Sequence, residues 1–325
     1  MPRAHLALIA ALLAAVAVSI FSDKIDPYFL DVLTSIGINI ILAVSLNLVN
    51  GHTGQFSLGH AGFMSIGAYL SGCVTVFLGP KLFGDAGGTA LTQNVLFFFA
   101  LLAGGLSAAL AGLVVGIPSL RLKGDYLALV TLGFGEIIRV VFQNIDAVGG
   151  ALGFIGLPPY TNFAWTYGAV ALTVFVVVCL VNSTYGRGFL ATHDDEIASE
   201  AIGLNTTRYK ITAFVVAAFF AGIAGGLYGH YKLSIDPRGF DFMRSIEIVV
   251  MVILGGMGNT VGVILAAILL TLLPEGLRSA ADLTGLQQLR SLSEYRMLIY
   301  SFLLIVLMLA RPQGLFNFRF GKARV

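Results

Sequence analysis

Residues 246–273 read IEIVVMVILGGMGNTVGVILAAILLTLL. A helix crossing ~30 Å of hydrocarbon needs about 20 apolar residues, so the run is too long for one crossing and, at a rise of about 1.5 Å per residue, too short for two. Its middle is Gly255, Gly256, Met257, Gly258, Asn259, Thr260, Val261 and Gly262, a composition that destabilises helix and permits turns. The expectation is a helix broken there into two half-helices that enter and return.

The rest of the chain places this run in a membrane. Of 325 residues, 57% are apolar and 11% charged, and the mean hydropathy is +0.90. A water-soluble surface needs more charge than that, whereas a chain solvated by lipid does not. The net charge of +2, with no basic tract, excludes a nucleic-acid partner. Cys73 and Cys179 fall within apolar runs and read as packing residues rather than a disulfide. Nine apolar runs emerge, at 6–21, 29–49, 57–78, 94–117, 126–142, 165–182, 211–231, 246–273 and 297–310. The first, after Arg3 and His5, lacks a small residue at its end and reads as an uncleaved anchor.

Basic residues in short loops mark the cytoplasmic side. Arg121 and Lys123, then Arg187, Arg208 and Lys210, then Arg311, Arg319, Lys322 and Arg324 mark three such segments, while residues 144–164 hold no Lys or Arg and many glycines and prolines. Alternation from a cytoplasmic N-terminus fits as far as Tyr231, and nine simple crossings would then put the basic C-terminus outside. Breaking the 246–273 run restores an even count. The fold expected is an all-α polytopic transmembrane bundle, a single domain over 1–325, of about eight full spans plus re-entrant half-helices.

A second interruption runs from Asn50 to Gly62, through Gly51, His52, Gly54, Gln55, Ser57, Gly59 and His60. Two broken segments in opposite halves point to an internal, inverted repeat. Unwound backbone inside a membrane is tolerated where it faces protein or a water-filled path. These residues, with Gly255, Gly256, Gly258 and Asn259, are therefore candidates for a translocation pathway, the alternative being close helix packing through small side chains. Glu136 and Arg139, three apart on one helix face, can neutralise one another. A structural ion pair is the default reading, and holding the ammonium and carboxylate of an amino acid is the functional one. Asp31, Glu247 and Glu275 read as span-end residues without a role.

Residues 183–210 form the longest loop that charge places in the cytoplasm. Within it Leu190, Ile197, Ala201 and Leu204 share a helical face, Asp194, Asp195, Glu196 and Glu200 cover the remainder, and Gly203 supplies a stop. One amphipathic helix over 189–204 is expected. It either lies in the lipid interface or docks a protein, and its carboxylates, repelled by an anionic leaflet, favour the protein.

The run from Arg187 through Gly203 resembles the cytoplasmic coupling loop of bacterial ABC importer permeases of the branched-chain amino acid type, LivM with its sister LivH. Asn50 to Gly72 is similar to that family's Gly-x-x-Gly-Gln-x-Ser-Leu-Gly-His-Ala segment, Thr131 to Arg139 to its Thr-Leu-x-Phe-Gly-Glu-Ile-x-Arg, Leu254 to Gly262 to its glycine break, and Arg311 to Phe316 to its Arg-Pro-Gln-Gly-Leu-Phe. Thr192 and His193 stand where relatives often carry Arg. The resemblance implies a permease subunit of the bacterial inner membrane with both termini cytoplasmic. It would pair with a LivH-like permease, two ATP-binding subunits and an extracytoplasmic substrate-binding protein, with lipid around it. Coupling would fall to Arg187, Leu190, Asp194, Asp195, Glu196, Ile197, Glu200, Ala201 and Gly203. No Gly-x-x-x-x-Gly-Lys-Ser/Thr loop occurs in the sequence, so ATP hydrolysis would belong to partner chains, and no cofactor or metal is expected. Two other classes compete. A stand-alone secondary transporter suits broken helices. A membrane enzyme using Asp194, Asp195 and Glu196 on a metal lacks the second acidic cluster it would need.

Overall fold

A computed structural model describes residues 26–83, 89–119 and 125–284, with single positions at 302, 305, 306 and 315. The run 6–21 and, but for positions 302, 305 and 306, the run 297–310 expected to span, with the basic positions Arg3, Arg121, Lys123, Arg311, Arg319, Lys322 and Arg324, lie outside the described residues. Among the described residues, besides a five-residue helix at Gly79–Phe83, ten helices carry the fold: α1 (Pro27–Asn47), α2 (His60–Cys73), α3 (Ala90–Ser119), α4 (Asp125–Gln143), α5 (Phe163–Val181), α6 (Thr184–Asp194), α7 (Glu196–Ala201), α8 (Thr206–Lys232), α9 (Phe242–Gly255) and α10 (Thr260–Thr284). A π-turn, Leu48–His52, prolongs α1, and another, Val74–Leu78, prolongs α2. Among the described residues seven helices are long and apolar enough to cross a membrane, namely all but α6, α7 and α9. The all-α polytopic bundle is as the composition predicts.

Successive long helices run antiparallel, which defines two ends. The connections α1–α2, α3–α4, α5–α8 and α9–α10 lie at one, called here the loop end because it carries α6 and α7. The other, the hairpin end, carries a two-stranded antiparallel sheet in which β1 (Phe154–Ile155) pairs with β2 (Ser234–Ile235), Phe154 opposite Ile235. The glycine-rich connection that holds β1 is turn-rich, as its composition predicts, with Gly149, Gly150, Gly153 and Gly156 all at positive φ.

Helix α1 is apolar all round and is the bundle's axis: from Ile36 onward its residues are buried without interruption. Helices α2, α3 and α8 form a tighter group, built where glycines let backbones touch. A Cβ on Gly67 of α2 would stand 2.1 Å from the carbonyl oxygen of Gly222 on α8, and one on Gly225 of α8 would stand 1.9 Å from that of Met64. Helices α4 and α5 are peripheral, and α4 turns Leu129, Ile137, Val140 and Val141 outward.

The 246–273 run breaks where its glycines predict, but its arms are unequal, and this corrects the pair of half-helices. Gly256 (φ 90°) and Gly258 (φ 80°) make the turn, and α10 then continues for 25 residues, a full crossing. The short arm is α9, whose 14 residues extend about 21 Å at 1.5 Å per residue. It begins at the middle of the bundle, where the Arg244 guanidinium donates to Asn39 Oδ1 (2.8 Å) halfway along α1. The outer half of this crossing is unwound. Leu233 adopts a left-handed conformation (φ 59°), β2 follows, and Asp236 caps a 3-10 turn, Pro237–Phe240, before Asp241 caps α9. Proline gives no backbone donor and each aspartate satisfies a helix start, so helix cannot run back through residues 236–241. Eight traverses result among the described residues, seven helical and one half unwound. Both breaks lie at the loop end, so the relation between these two segments is not the inverted one expected.

Candidate functional site

At the loop end, the single amphipathic helix expected over 189–204 is two. Asp195 is extended (φ −157°, ψ 109°), and its carboxylate accepts from the N–H of Ile197 (2.9 Å) and of Ala198 (3.0 Å). A side chain that caps α7 ends α6. Glu196 pairs with Lys210 Nζ (2.7 Å), a lysine buried at the start of α8, and Glu200 accepts from the Thr206 hydroxyl (2.7 Å). Three of the expected coupling carboxylates are therefore used to brace the loop. Gly186, Gly188, Phe189 and Thr192 seat α6 on the bundle. Arg187, Leu190, Asp194, Ala201 and Gly203 are exposed, together with Ile197 (73%) and Ile202 (77%). The apolar face thus looks away from the bundle. Lys210 reads in the sequence only as a topology signal and Ile202 is not among the expected coupling residues, because a single helix places it on another face.

Directly beneath lie the two breaks. Gly51 and Gly258 meet: a Cβ on Gly51 would stand 2.2 Å from Gly258 N, and the Gly258 N–H donates to Asn47 Oδ1 (2.9 Å). Asn259 Oδ1 caps α10 by accepting from Gly262 N (3.2 Å), and Gly255 packs on Val263. Gly54 (φ 68°) abuts His193 of α6, whose Cδ2 would be 2.7 Å from a Cβ there. Ser57 N donates to Asn50 Oδ1 (3.2 Å), Gly59 touches the Thr131 carbonyl of α4, and His60 Nε2 lies 3.0 Å from Ser45 Oγ. The structure brings Gly51 to Gly258 and Gly54 to His193 of α6, buries His52 and Gln55 in the same loop, and turns Ser57, Gly59 and His60 toward α1 and α4. Among the described residues the buried Asn47 Nδ2, Asn50 Nδ2, His52 Nε2 and both amide atoms of Gln55 have no hydrogen-bond partner. This junction is polar and closely packed.

The open space is elsewhere. A cavity of about 550 Å³ enters from the hairpin end between α1, α9 and α10 and reaches the middle of the bundle. Arg244 Nη1 pairs with Glu247 Oε2 (2.8 Å), Arg244 Nη2 donates to Asn39 Oδ1, and Asn39 Nδ2 donates to Thr271 Oγ1 (2.8 Å). At the mouth Lys232 pairs with Asp31 (3.1 Å), which also accepts from the Tyr231 hydroxyl, and Arg278 pairs with Glu275 (3.1 Å), which accepts from the Tyr28 hydroxyl. Asp31, Glu247 and Glu275, which read in the sequence as span-end residues, all line this cavity. Glu247 read as a span end because the apolar run starts at 246; with α9 beginning halfway across, that start lies mid-bundle. The signal was the three-residue spacing from Arg244.

Glu136 and Arg139 pair as their spacing predicts (Nη2 to Oε2, 2.6 Å). They stand apart from the cavity, on the part-buried flank of α4, where Glu136 edges a shallow recess against Phe240, Asp241 and Ser245.

The model of the family described as branched-chain amino acid transport system / permease component matches residues 28–308. The chain belongs to this family. It is 35% identical over 254 residues to the high-affinity branched-chain amino acid transport system permease protein LivM of Salmonella typhimurium, and 36% identical to that of Escherichia coli, in both cases over 67% of this chain and 57% of the relative. The match thus spans somewhat more than half the length of these LivM permeases. Escherichia coli LivH is 30% identical over 146 residues, 45% of this chain and 42% of its own. The fructose import permease FrcC of Rhizobium meliloti is 28% identical over 52% of each. No solved structure matches. The chain is a multi-pass membrane protein of the permease class.

Proposed function

We propose that this branched-chain amino acid permease family member is a translocation subunit of an ATP-driven importer of the bacterial inner membrane, without ATP chemistry of its own. The observation that carries the reading is the α6–α7 loop: an apolar face, Leu190, Ile197 and Ile202, exposed at the tip of a loop braced from beneath by Lys210–Glu196 and Glu200–Thr206. A rigid loop with an outward apolar patch is built to receive a partner. Two ATP-binding subunits dock there, on the cytoplasmic side, where Arg187, Arg208 and Lys210 satisfy the positive-inside rule. The hydrogen bond from Leu315 N to Leu254 O (2.9 Å) supports a C-terminus on the same side, and charge supports an N-terminus there. A second, LivH-like permease packs on the outward side of α4. Leu129, Ile137, Val140 and Val141 are exposed on that side, and Glu136 and Arg139, part-exposed on its flank, form an ionised pair that is costly against lipid and less so against a protein partner. An extracytoplasmic binding protein delivers the amino acid at the hairpin end. The relatives named as LivM and LivH support the branched-chain substrate.

The deciding experiment is Ile197→Asp in cells carrying the assembled transporter. The chain inserts at wild-type level, while co-purification of the ATP-binding subunits and leucine uptake both fall by about tenfold, the loss expected for about 1.4 kcal/mol of docking energy. Undiminished uptake would refute the docking face. Uptake driven by this chain alone, from an ion gradient, would establish the secondary transporter instead.

A further inference from the structure

The cavity between α1, α9 and α10 has chemistry that neither the coupling loop nor the helix breaks use. Among the described residues its lining holds four acidic and four basic side chains, whose formal charges cancel. Separated charges of both signs around a neutral whole match a ligand of the same kind: a lone anion or cation would leave the cavity unbalanced, and a zwitterion would not. At the floor, Arg244 gives one hydrogen bond to Glu247 and one to Asn39 from its side chain, out of the five N–H groups a guanidinium carries. The remaining donors are free to take a carboxylate, and the Glu247 carboxylate is the partner for an ammonium group beside it. Met251 and Leu270 line the same floor and offer apolar contact. The volume is of the size that small-molecule sites have, about 300–1,000 Å³.

We infer that this cavity binds an aliphatic α-amino acid as its zwitterion, with the carboxylate on Arg244, the ammonium toward Glu247 and the side chain against Met251 and Leu270. The inference takes its substrate class from the permease reading above, and adds a site within this subunit.

The test is substrate protection of a thiol in the cavity wall. Ser35→Cys, and separately Met243→Cys, are introduced with Cys73→Ala and Cys179→Ala into the assembled transporter in native membranes. The probe is a methanethiosulfonate ethylammonium reagent. Leucine at ~10 times its Kd slows modification about tenfold, because a single site is then empty about a tenth of the time. At the same concentration 4-methylpentanoate, which lacks the ammonium, and 3-methylbutylamine, which lacks the carboxylate, give no protection. The charge-removing pair Arg244→Gln/Glu247→Gln keeps the labelling rate and membrane abundance and loses the protection. Labelling indifferent to leucine, equal protection by either analogue, or no labelling at both positions overturns the inference. Leucine uptake by the same cells separates the two readings: uptake without protection refutes the cavity alone, and absence of uptake refutes the permease reading with it.

Discussion

Replacing Gly67 by alanine is the sharpest probe of how this bundle is held. The added methyl would stand 2.1 Å from the Gly222 carbonyl oxygen and 2.2 Å from its Cα. Since carbon atoms rest about 3.5 Å apart, α2 and α8 must part by about 1.3 Å, and a gap of even 0.5–1 Å forfeits about a quarter to a half of each neighbouring contact. No rotamer change relieves the clash, because the obstacle is backbone. Overpacking at such a site costs about 3 kcal/mol, and the better helix propensity of alanine returns about 1, leaving a loss of about 2 kcal/mol. Gly133→Ala on α4 is the control: nothing lies within 4 Å of its added methyl, so it stabilises by up to about 1 kcal/mol. Both are measured on the purified chain in mixed micelles by SDS-induced unfolding. The reporter is fluorescence of Trp165, the single tryptophan, whose ring meets Phe97 edge-on at 5.2 Å. Equal unfolding free energies for the two variants would refute the argument that backbone contact sets the α2–α8 distance.

Three further outcomes are expected. Lys210→Met leaves Glu196 without its partner and loosens the loop, so ATP hydrolysis by the assembled transporter continues while uptake falls; a parallel fall in both would point to misfolding instead. Asp195→Ala removes the α7 cap at a cost of about 1 kcal/mol, read as faster hydrogen exchange at the Ile197 and Ala198 amides with α6 unchanged. Gly258→Ala forces a side chain into left-handed backbone at about 1–2 kcal/mol, lowering the unfolding free energy by that amount, while Gly276→Ala, with open space around it, does not.

Composition and run length made the membrane bundle legible, and loop charge together with the glycines of 255–262 located the α9–α10 turn. The unwound stretch 233–241 was not legible, because an apolar-run search scores hydrophobicity and that stretch is polar. Its helix-stopping residues, Asp236, Pro237 and Asp241, fall between the 211–231 and 246–273 runs, where a run search assigns nothing. That gap put Glu247 at a span end instead of mid-bundle and hid the cavity. The α6–α7 loop was read correctly as a segment and wrongly as one helix, since Asp195 satisfies the periodicity of a helix while its side chain caps the next. Which carboxylates face outward depended on Lys210 and Thr206, which lie beyond the stretch that local periodicity can address.

The glycine contacts joining α2, α3 and α8 have a mechanical corollary. Side chains that interdigitate can slip by a rotamer, but backbones in direct contact have no slack, so these three helices behave as a stator. Helices α9 and α10, joined by a two-glycine pivot and bordering the cavity along α1, are the natural rotor. In the proposed transporter the loop that would take up force, α6–α7, abuts Gly54 through His193, in the segment whose Gly51 meets Gly258 of the pivot, so a displacement would enter next to the joint and leave the frame still.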